Sequence, residues 1–229
     1  MSADSLSTGG AKGETRIEEP TAAERAIARR AAEARATVPD LELRADVDMA
    51  QAIRLRDSEG GTIPAILVRA CALALNAVPR ANGAYRDGRF ELYSRINVGI
   101  VVADEHSYLI PTVFDADQKS VAELGEEIER LTAAARAGEL SPPAYSGATF
   151  TLWDAGALGV EASTVVVNSP QAAALAAGAI RAVPVVRDGA VQPGHAMTVT
   201  LACDHRILYG AHAARFLAEL TDALTAPAM

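Results

Sequence analysis

Aromatic residues are scarce in this chain of 229 residues: Phe, Trp and Tyr make up 4% of it, and there is a single tryptophan. A core must therefore be filled by alanine, valine and leucine, within a hydrophobic content of 50% that is ordinary for a globular protein. Only two cysteines occur, Cys71 and Cys203, far apart and in apolar runs. This pattern indicates buried thiols in a reducing compartment rather than a disulfide or a metal pair.

Positive charge and long apolar stretches are scarce too. The net charge is −8, and no cluster of lysine and arginine interleaves with aromatic residues, which argues against a nucleic-acid surface. The N-terminus lacks the apolar segment of a secretory signal, and no stretch is long and apolar enough to cross a bilayer. No residue spacing suggests a metal site. We therefore expect a cytoplasmic protein without a nucleic-acid, membrane or metal partner.

Helix signals organise much of the chain. Residues 1–19 lack periodicity and are expected to form a flexible N-terminal leader before one domain at 20–229. Thr21 with Glu24, and Ser120 with Glu123, have capping-box spacing, which predicts helices after both. Thr62 is predicted to cap a third, largely apolar helix that is buried centrally. An apolar stripe supports the helix after Ser120: Val121, Leu124, Ile128, Leu131 and Ala135.

Strand signals fill much of the rest. Alternation of apolar and polar residues predicts half-exposed strands near residues 41–49 and 197–203. Further strands are predicted at Ile96–Val102, Leu109–Val113, Thr149–Trp153 and Thr164–Asn168. No internal repeat or interdomain linker is visible. The pattern predicts an α+β or α/β fold with a mixed sheet and helices on one side.

One histidine stands at a junction between a predicted strand and a predicted helix. His205 lies between Asp204 and Arg206, directly before the helical spacing that starts near Gly210. Polar groups at such a junction can be held rigidly and still face a cleft. His205 is therefore the first candidate site residue. The other histidines are interpreted as loop or surface residues: His106, His195 and His212.

The motif around His205 is one of an ordered series that resembles a known family. The chain is similar, over roughly residues 20–225, to the catalytic core of the dihydrolipoamide acyltransferases of 2-oxoacid dehydrogenase complexes, whose fold is shared with chloramphenicol acetyltransferase. The resemblance implies a two-layer α+β sandwich and a homotrimer, in some members assembled into cages, with active sites between subunits. The matching stretches are Ile27–Arg30 with Thr37–Pro39, Arg69–Leu75 with Val78-Pro79, Asn97–Gly99, Leu109–Val113, Gly147–Thr151 with Gly156 and Gly159, Asn168–Gln171, and Asp204–Arg206 with Gly210.

The resemblance also implies a reaction. In the family an acyl thioester and its acceptor enter a channel from opposite ends, and the histidine matching His205 is the general base. It removes the proton of a thiol or hydroxyl that attacks the thioester carbonyl. Imidazole suits this role because its ordinary pKa, near 6.5, leaves it mostly neutral and basic at cytoplasmic pH.

Two positions depart from the family pattern. Where the family has an aspartate four residues after the histidine, this chain has Tyr209, which offers a hydrogen bond but no charge. Where the family has a Ser or Thr that donates to the tetrahedral oxyanion, this chain has Trp153. An extended strand would place Trp153 on the face of Thr149 and Thr151, where its indole N–H could replace the missing hydroxyl.

These departures leave alternatives open for both residues. Trp153 is either the wall of a reshaped acceptor pocket or a filler that narrows a dead site. Tyr209 is interpreted as a pocket or packing residue. His205, Trp153 and Tyr209 together form the predicted catalytic set.

The expected function is acyl transfer, most simply of acetyl, from coenzyme A to a small-molecule hydroxyl. Family members of the complexes carry lipoyl and subunit-binding domains upstream of the core, whereas about twenty residues precede it here, so no lipoyl group is expected on this chain. Such cores resemble acyltransferases of tetronate antibiotic biosynthesis. The alternatives are a non-catalytic trimeric assembly protein, a dehydrogenase-complex subunit that acylates lipoyl groups on a separate chain, and another reaction in the same channel, such as an elimination.

Overall fold

The computed structural model of the protein describes residues 7–11, 13–59, 61–103, 107–187 and 189–226. Five α-helices are found in this part of the chain: α1 Ala22–Thr37, α2 Ala50–Glu59, α3 Ile63–Ala77, α4 Val121–Arg136 and α5 Gly210–Thr225. Short 3₁₀ helices occupy Pro79–Ala81, Ala116–Gln118, Pro142–Tyr145 and Gly156–Leu158. The strands are β1 Ser7–Gly10, β2 Gly13–Thr15, β3 Asp40–Asp48, β4 Gly83–Arg86, β5 Arg89–Leu92, β6 Val98–Ile100, β7 Val102–Ala103, β8 Tyr108–Leu109, β9 Thr112–Val113, β10 Phe150–Asp154, β11 Ala173–Ala177, β12 Arg181–Arg187 and β13 Ala190–Asp204.

A mixed, seven-stranded sheet forms the centre of the fold. Its strand order is β12-β13-β11-β10-β6-β9, and β3 pairs with β13 beside this path. Strand β10 runs parallel to both β11 and β6, whereas the other pairs in this sheet are antiparallel. The α+β class and the mixed sheet predicted from the sequence are thus confirmed.

The helix caps form as their spacing predicts. The Thr21 hydroxyl accepts a hydrogen bond from the amide of Glu24 at 3.2 Å, and the Glu24 carboxylate accepts one from the amide of Thr21 at 2.6 Å. Ser120 and Glu123 make the same reciprocal pair at the start of α4. Each box satisfies amides that a helix start would otherwise leave unpaired, so both helices begin where predicted. All five residues of the predicted α4 stripe are buried.

The two faces of the sheet are covered differently. Helices α2 to α5 pack on the face to which Phe150 and Leu152 point, and both side chains are fully buried there. The other face is covered by Val38, at the end of α1, and by Val165 and Val167, which pack on alanines of β11 and β13. Four of the five helices therefore lie on one side, as predicted, while the end of α1 lies on the opposite one.

Three strand predictions need correction. Thr164–Asn168 is not a strand. Val165 and Val167 pack on the face of the sheet opposite Phe150 and Leu152, without joining the hydrogen-bond ladder. Strands β11 and β12 were not predicted. All five residues of β11 are buried, so its sequence is apolar on both faces and shows no alternation, and it contains four alanines, which are uncommon in strands. Ile96–Val102 and Leu109–Val113 form only short strands, β6 to β9.

The leader is not wholly irregular, because β1 and β2 pair antiparallel within it. Its flexibility stays a prediction. Cys71 and Cys203 are free and buried, as expected. Burial raises the pKa of the Cys203 thiol to about 12, with further contributions from Asp204 and Asp40, so this thiol is protonated at neutral pH.

No single helix in the described part of the chain is long and apolar enough to span a bilayer. The α2–α3 pair meets that test by length and composition only when taken together, across a bend of 120°.

Candidate functional site

The His205 turn is fixed by its backbone. The amide of Asp204 donates to the carbonyl of Ala172 at 2.8 Å, and the amide of His205 donates to the carbonyl of Pro39 at 3.0 Å. The amides of Ile207 and Leu208 both donate hydrogen bonds to the carbonyl of Asp204. The chain thus leaves β13 and makes one tight turn before α5, and the amides of residues 204–208 are all hydrogen-bonded, which fixes the backbone of the turn.

An ion pair closes the same turn. The Arg206 guanidinium donates to both carboxylate oxygens of Asp204, at 2.9 Å and 2.7 Å, and the Arg206 amide donates to one of them at 2.9 Å. Only 3% of the Asp204 side chain is exposed, against 32% for Arg206. The hydrogen bond to Asp204 raises the pKa of Arg206 above its ordinary value. His205, between the two, is exposed.

Tyr209 lies beside the predicted base. Its ring centroid is 5.7 Å from that of His205 and 5.8 Å from that of His212, which is within the range of attractive ring contacts. His212 is not a loop or surface residue as predicted: it is half-buried in the first turn of α5, and among the described residues no hydrogen-bond partner of its buried Nδ1 is found. His195 is exposed on β13, and His106 lies outside the described residues.

A cleft of about 1440 Å³ opens on the second face of the sheet. Its walls come from α1, from the β4–β5 hairpin with the segment after it, and from residues 164–171. Its floor includes Thr149, Thr151 and Trp153, whereas Phe150 and Leu152 point into the core on the opposite face. The predicted orientation of Trp153 is confirmed.

The polar floor of the cleft has one unused side-chain donor. The Thr149 hydroxyl donates to the carbonyl of Asn97 at 3.1 Å, and the Thr151 hydroxyl donates to Oε1 of Gln171 at 2.6 Å. Gln171 in turn donates to the carbonyl of Ala148 at 3.0 Å. Within the described residues we find no hydrogen bond of the Trp153 indole, so of the three floor side chains it is the one whose N–H is free to meet a ligand.

Gly99, in one of the matched motifs, marks a close approach under this floor. A Cβ at this position would lie 2.6 Å from Cγ2 of Ile110 and 3.0 Å from Cβ of Ala148. A larger residue would push β6 away from the Gly147–Thr151 segment. Gly99 therefore supports the floor sterically rather than chemically.

The structure does not bring all three predicted site residues together in one chain. Trp153 is in register with Ala176, and Ala176 with Thr200. Asp204 lies four residues beyond Thr200, which is about 13 Å along the strand. His205 does not line the cleft that contains Trp153.

Three residues of this region were not singled out in the sequence. Gln171 stands in a matched motif, but nothing local indicates its bond to Thr151. Arg80 lies within 6 Å of the Tyr209 ring centre, and nothing in its sequence surroundings marks it. Asp154 is next to Trp153; burial raises the pKa of its carboxyl, opposed by hydrogen bonds from the amides of Ala157 and Gly156. No cluster of three metal-ligating side chains is found in the part of the chain that the structure describes.

Known proteins resemble this chain over most of its length. A family model for the 2-oxoacid dehydrogenases acyltransferase (catalytic domain) matches residues 12–229. The dihydrolipoyllysine-residue acetyltransferase component of the pyruvate dehydrogenase complex of Zymomonas mobilis is 32% identical over 89% of this chain. That match covers 48% of the relative, so the chain spans about half the length of this relative.

Solved structures show the same architecture. The Azotobacter vinelandii dihydrolipoamide acetyltransferase matches with a TM-score of 0.87 and 28% identity, covering 93% of this chain and 92% of that one. The cubic core of a pyruvate dehydrogenase multienzyme complex matches equally well, with a TM-score of 0.87, 29% identity and 93% coverage of both chains. Chloramphenicol acetyltransferase, at a TM-score of 0.55 and 16% identity over 86% of this chain and 94% of its own, shares the fold alone.

The Azotobacter enzyme has been studied for the roles of a serine, a histidine and an asparagine in its catalytic mechanism. Its serine precedes the histidine by as many residues as Trp153 precedes His205, and its asparagine follows by as many as Tyr209 does. The residue four positions after the histidine is thus uncharged in that relative too, so Tyr209 does not by itself mark a lost carboxylate. On the family match across residues 12–229, this chain belongs to the 2-oxoacid dehydrogenase acyltransferases, as a catalytic domain.

Proposed function

We propose that this chain transfers an acyl group, acetyl in the simplest case, from coenzyme A to the hydroxyl of a small molecule, with His205 as general base. The observation that carries the proposal is the exposed imidazole of His205 on a hydrogen-bonded turn between Asp204 and Arg206, in a family of acyltransferases. We infer that the site is shared between two copies of the chain, and the separation of His205 from the Trp153 cleft within one copy supports this.

The proposed step is balanced within the site. The His205 imidazole takes the proton of the acceptor hydroxyl as its oxygen bonds to the thioester carbonyl carbon. The tetrahedral intermediate then collapses, the carbon–sulfur bond breaks, and the imidazolium returns the proton to the departing coenzyme A thiolate. The Trp153 N–H of a neighbouring copy donates to the intermediate's oxyanion, which is the position of the largest new charge.

Trp153 also supports a changed acceptor. An indole fills far more space than the serine of the Azotobacter enzyme, and it presents a flat apolar wall with one donor. The cleft in front of it is large enough for a small-molecule ligand. A planar or cyclic alcohol suits such a wall, and a hydroxymethyl tetronate is one candidate.

A second candidate acceptor is the dihydrolipoyl thiol. The Zymomonas relative is a dihydrolipoyllysine-residue acetyltransferase, and the family model covers nearly the whole chain. Under this alternative the protein serves a 2-oxoacid dehydrogenase complex, and its self-assembly resembles the cubic core of the structural relative.

The test is release of free thiol from acetyl-CoA with dihydrolipoamide, a hydroxymethyl tetronate and a panel of other alcohols. We expect the parent protein to turn over a hydroxylated acceptor fastest and His205→Ala to lose about 10²- to 10⁴-fold in rate. The matched control is His195→Ala, which removes an exposed histidine of β13 and leaves the rate unchanged. Faster turnover of dihydrolipoamide would favour the second candidate.

Equal rates for the parent and His205→Ala, or no turnover of any acceptor, would overturn the proposal; the latter result favours a non-catalytic assembly protein. Mixed oligomers test the sharing of the site. Neither His205→Ala nor Trp153→Ala is expected to be fully active alone, and co-assembly of the two restores sites in which one copy supplies His205 and the other Trp153.

A further inference from the structure

We propose that Arg80 is a positioning residue that holds Tyr209 against the His205 ring. Phe90, Arg80, Tyr209 and His205 form a row of successive contacts, and we call these four residues the Arg80 row. The effect on turnover rests on the proposed function, whereas the effect on the orientation of His205 does not.

The geometry of the row is continuous. Arg80 projects from the short helix that follows α3, and its guanidinium carbon lies 4.7 Å from the centre of the Phe90 ring. The same carbon lies 5.7 Å from the centre of the Tyr209 ring. Both distances are within the range of cation–π attraction. The Tyr209 ring then lies 5.7 Å from the His205 ring, so each member contacts the next.

The rings and one carbonyl set the orientation of Arg80. In the described residues no ion pair of Arg80 is found, while its Nη1 lies 3.5 Å from the carbonyl oxygen of Ile207, in the His205 turn. A planar guanidinium stacks on aromatic faces, and a lysine ammonium could not reproduce that contact. Arg80 therefore connects the β4–β5 hairpin to the turn without a carboxylate.

The hairpin holds the turn at a second point. The Arg206 guanidinium, already paired with Asp204, lies 4.8 Å from the ring centre of Tyr85. Tyr85 and Phe90 face each other across the hairpin with centroids 6.1 Å apart. Two neighbouring rings thus each contact one arginine, and both arginines adjoin the His205 turn.

Tyr209 needs such support because of its type and exposure. It is 41% exposed, and we find no hydrogen bond of its hydroxyl among the described residues. Its ring orientation therefore depends on the tilted ring contacts with His205 and His212 and on the cation–π contact with Arg80. Arg80 supplies the guanidinium contact of the three, and the same guanidinium contacts Phe90 of the hairpin.

The direct test is the NMR signal of the His205 ring in the full-length protein with labelled histidine. Arg80→Met keeps much of the apolar stem and removes the planar charge, and it is expected to shift the His205 signal because the Tyr209 ring current moves. Phe90→Ala, which removes an exposed partner of Arg80, is expected to shift it in the same way. Arg89→Met, an exposed arginine on the same hairpin, is the matched control and leaves the signal in place.

The kinetic test is a double-mutant cycle. Arg80→Met is expected to lower kcat/KM by roughly two- to five-fold, the ratio that a partly exposed cation–π contact supports, and Arg80→Lys only partly rescues it. In a Tyr209→Ala background the same Arg80→Met change has no further effect, because its target is gone. A merely structural role would instead lower activity equally in both backgrounds.

Two results would overturn the proposal: an unchanged His205 signal in both Arg80→Met and Phe90→Ala, or equal losses from Arg80→Met with and without Tyr209. If Arg80→Met does not fold, the Phe90→Ala spectrum decides. A parent protein without turnover would refute the proposed function, and the spectra would still decide the positioning role.

Discussion

Strands β13 and β10 of the central sheet each end in an aspartate, Asp204 buried and Asp154 half-buried, and the two carboxylates have opposite surroundings. At the end of β13, Asp204 is paired with the Arg206 guanidinium and with the Arg206 amide. At the end of β10, Asp154 accepts hydrogen bonds from backbone amides, at 3.1 Å from Ala157, and no cation pairs with it among the described residues. Burial raises the pKa of Asp154.

The contrast separates two kinds of site residue. His205 follows the paired aspartate, in a turn that backbone hydrogen bonds, an ion pair and the Arg80 row hold in place. Trp153 precedes the unpaired aspartate and faces an open cleft. A base must keep one geometry to be useful, whereas the wall of an acceptor pocket can change residue type without disturbing the turn that holds the base. The comparison favours a kept base with a rebuilt acceptor side.

Apart from loss of the base itself, the largest effect is expected at Trp153, in the cleft. Trp153→Phe keeps a large aromatic ring and removes the indole N–H, so it should lower kcat by about 10²- to 10³-fold if that N–H meets the oxyanion. The measurement is steady-state thiol release with the best acceptor. A change confined to KM would mean that Trp153 only shapes the acceptor pocket, which would contradict its role as an oxyanion donor.

The next effect is on stability and concerns the Asp204–Arg206 pair at the end of β13. Asp204→Ala removes the buried partner of Arg206 and the acceptor of its amide, and it should lower the free energy of unfolding by about 2–3 kcal/mol, less than a fully buried pair because Arg206 can reach water. Urea unfolding measures the difference. The matched control, Asp57→Ala, breaks an exposed pair with Arg56 and should change it by less than about 0.5 kcal/mol. Equal losses of unfolding free energy in both variants would show that the Asp204–Arg206 pair stabilises the fold no more than an exposed pair does.

Local patterns in the sequence predicted the surroundings of His205 well. The alternation into Cys203 and the helical spacing after Gly210 place His205 at the strand–helix junction, because a pattern and its boundary lie within one short segment. The capping boxes of Thr21 and Ser120 were equally readable. The contacts of Arg80 were not, since they join residues far apart in the chain.

The cleft side was only partly predictable. The face of Trp153 follows from the period of two along β10. Its distance from His205 does not, because that depends on the registers of β10 with β11 and of β11 with β13. Strand β11 has no polar face to mark it. Thr164–Asn168 has the composition of a strand, but its valines pack on one face of the sheet instead of pairing with a strand. Non-local pairing decided both cases.

The smallest effect tests the unpaired carboxylate itself. The pKa of Asp154 is higher in the folded chain than in the unfolded one, so above its folded pKa the ionised carboxylate weakens the native state. Below its unfolded pKa both states are protonated and the penalty is absent.

Asp154→Asn keeps an oxygen that can accept from the amides of Ala157 and Gly156 while removing the charge. We therefore expect the variant to be the more stable at pH 7 in urea unfolding, and its advantage over the parent to shrink as the pH falls through that window. The exposed Asp57→Asn should show no such trend. An Asp154→Asn protein less stable than the parent by the same amount at every pH would mean that hydrogen-bond geometry, and not charge, distinguishes the end of β10 from that of β13.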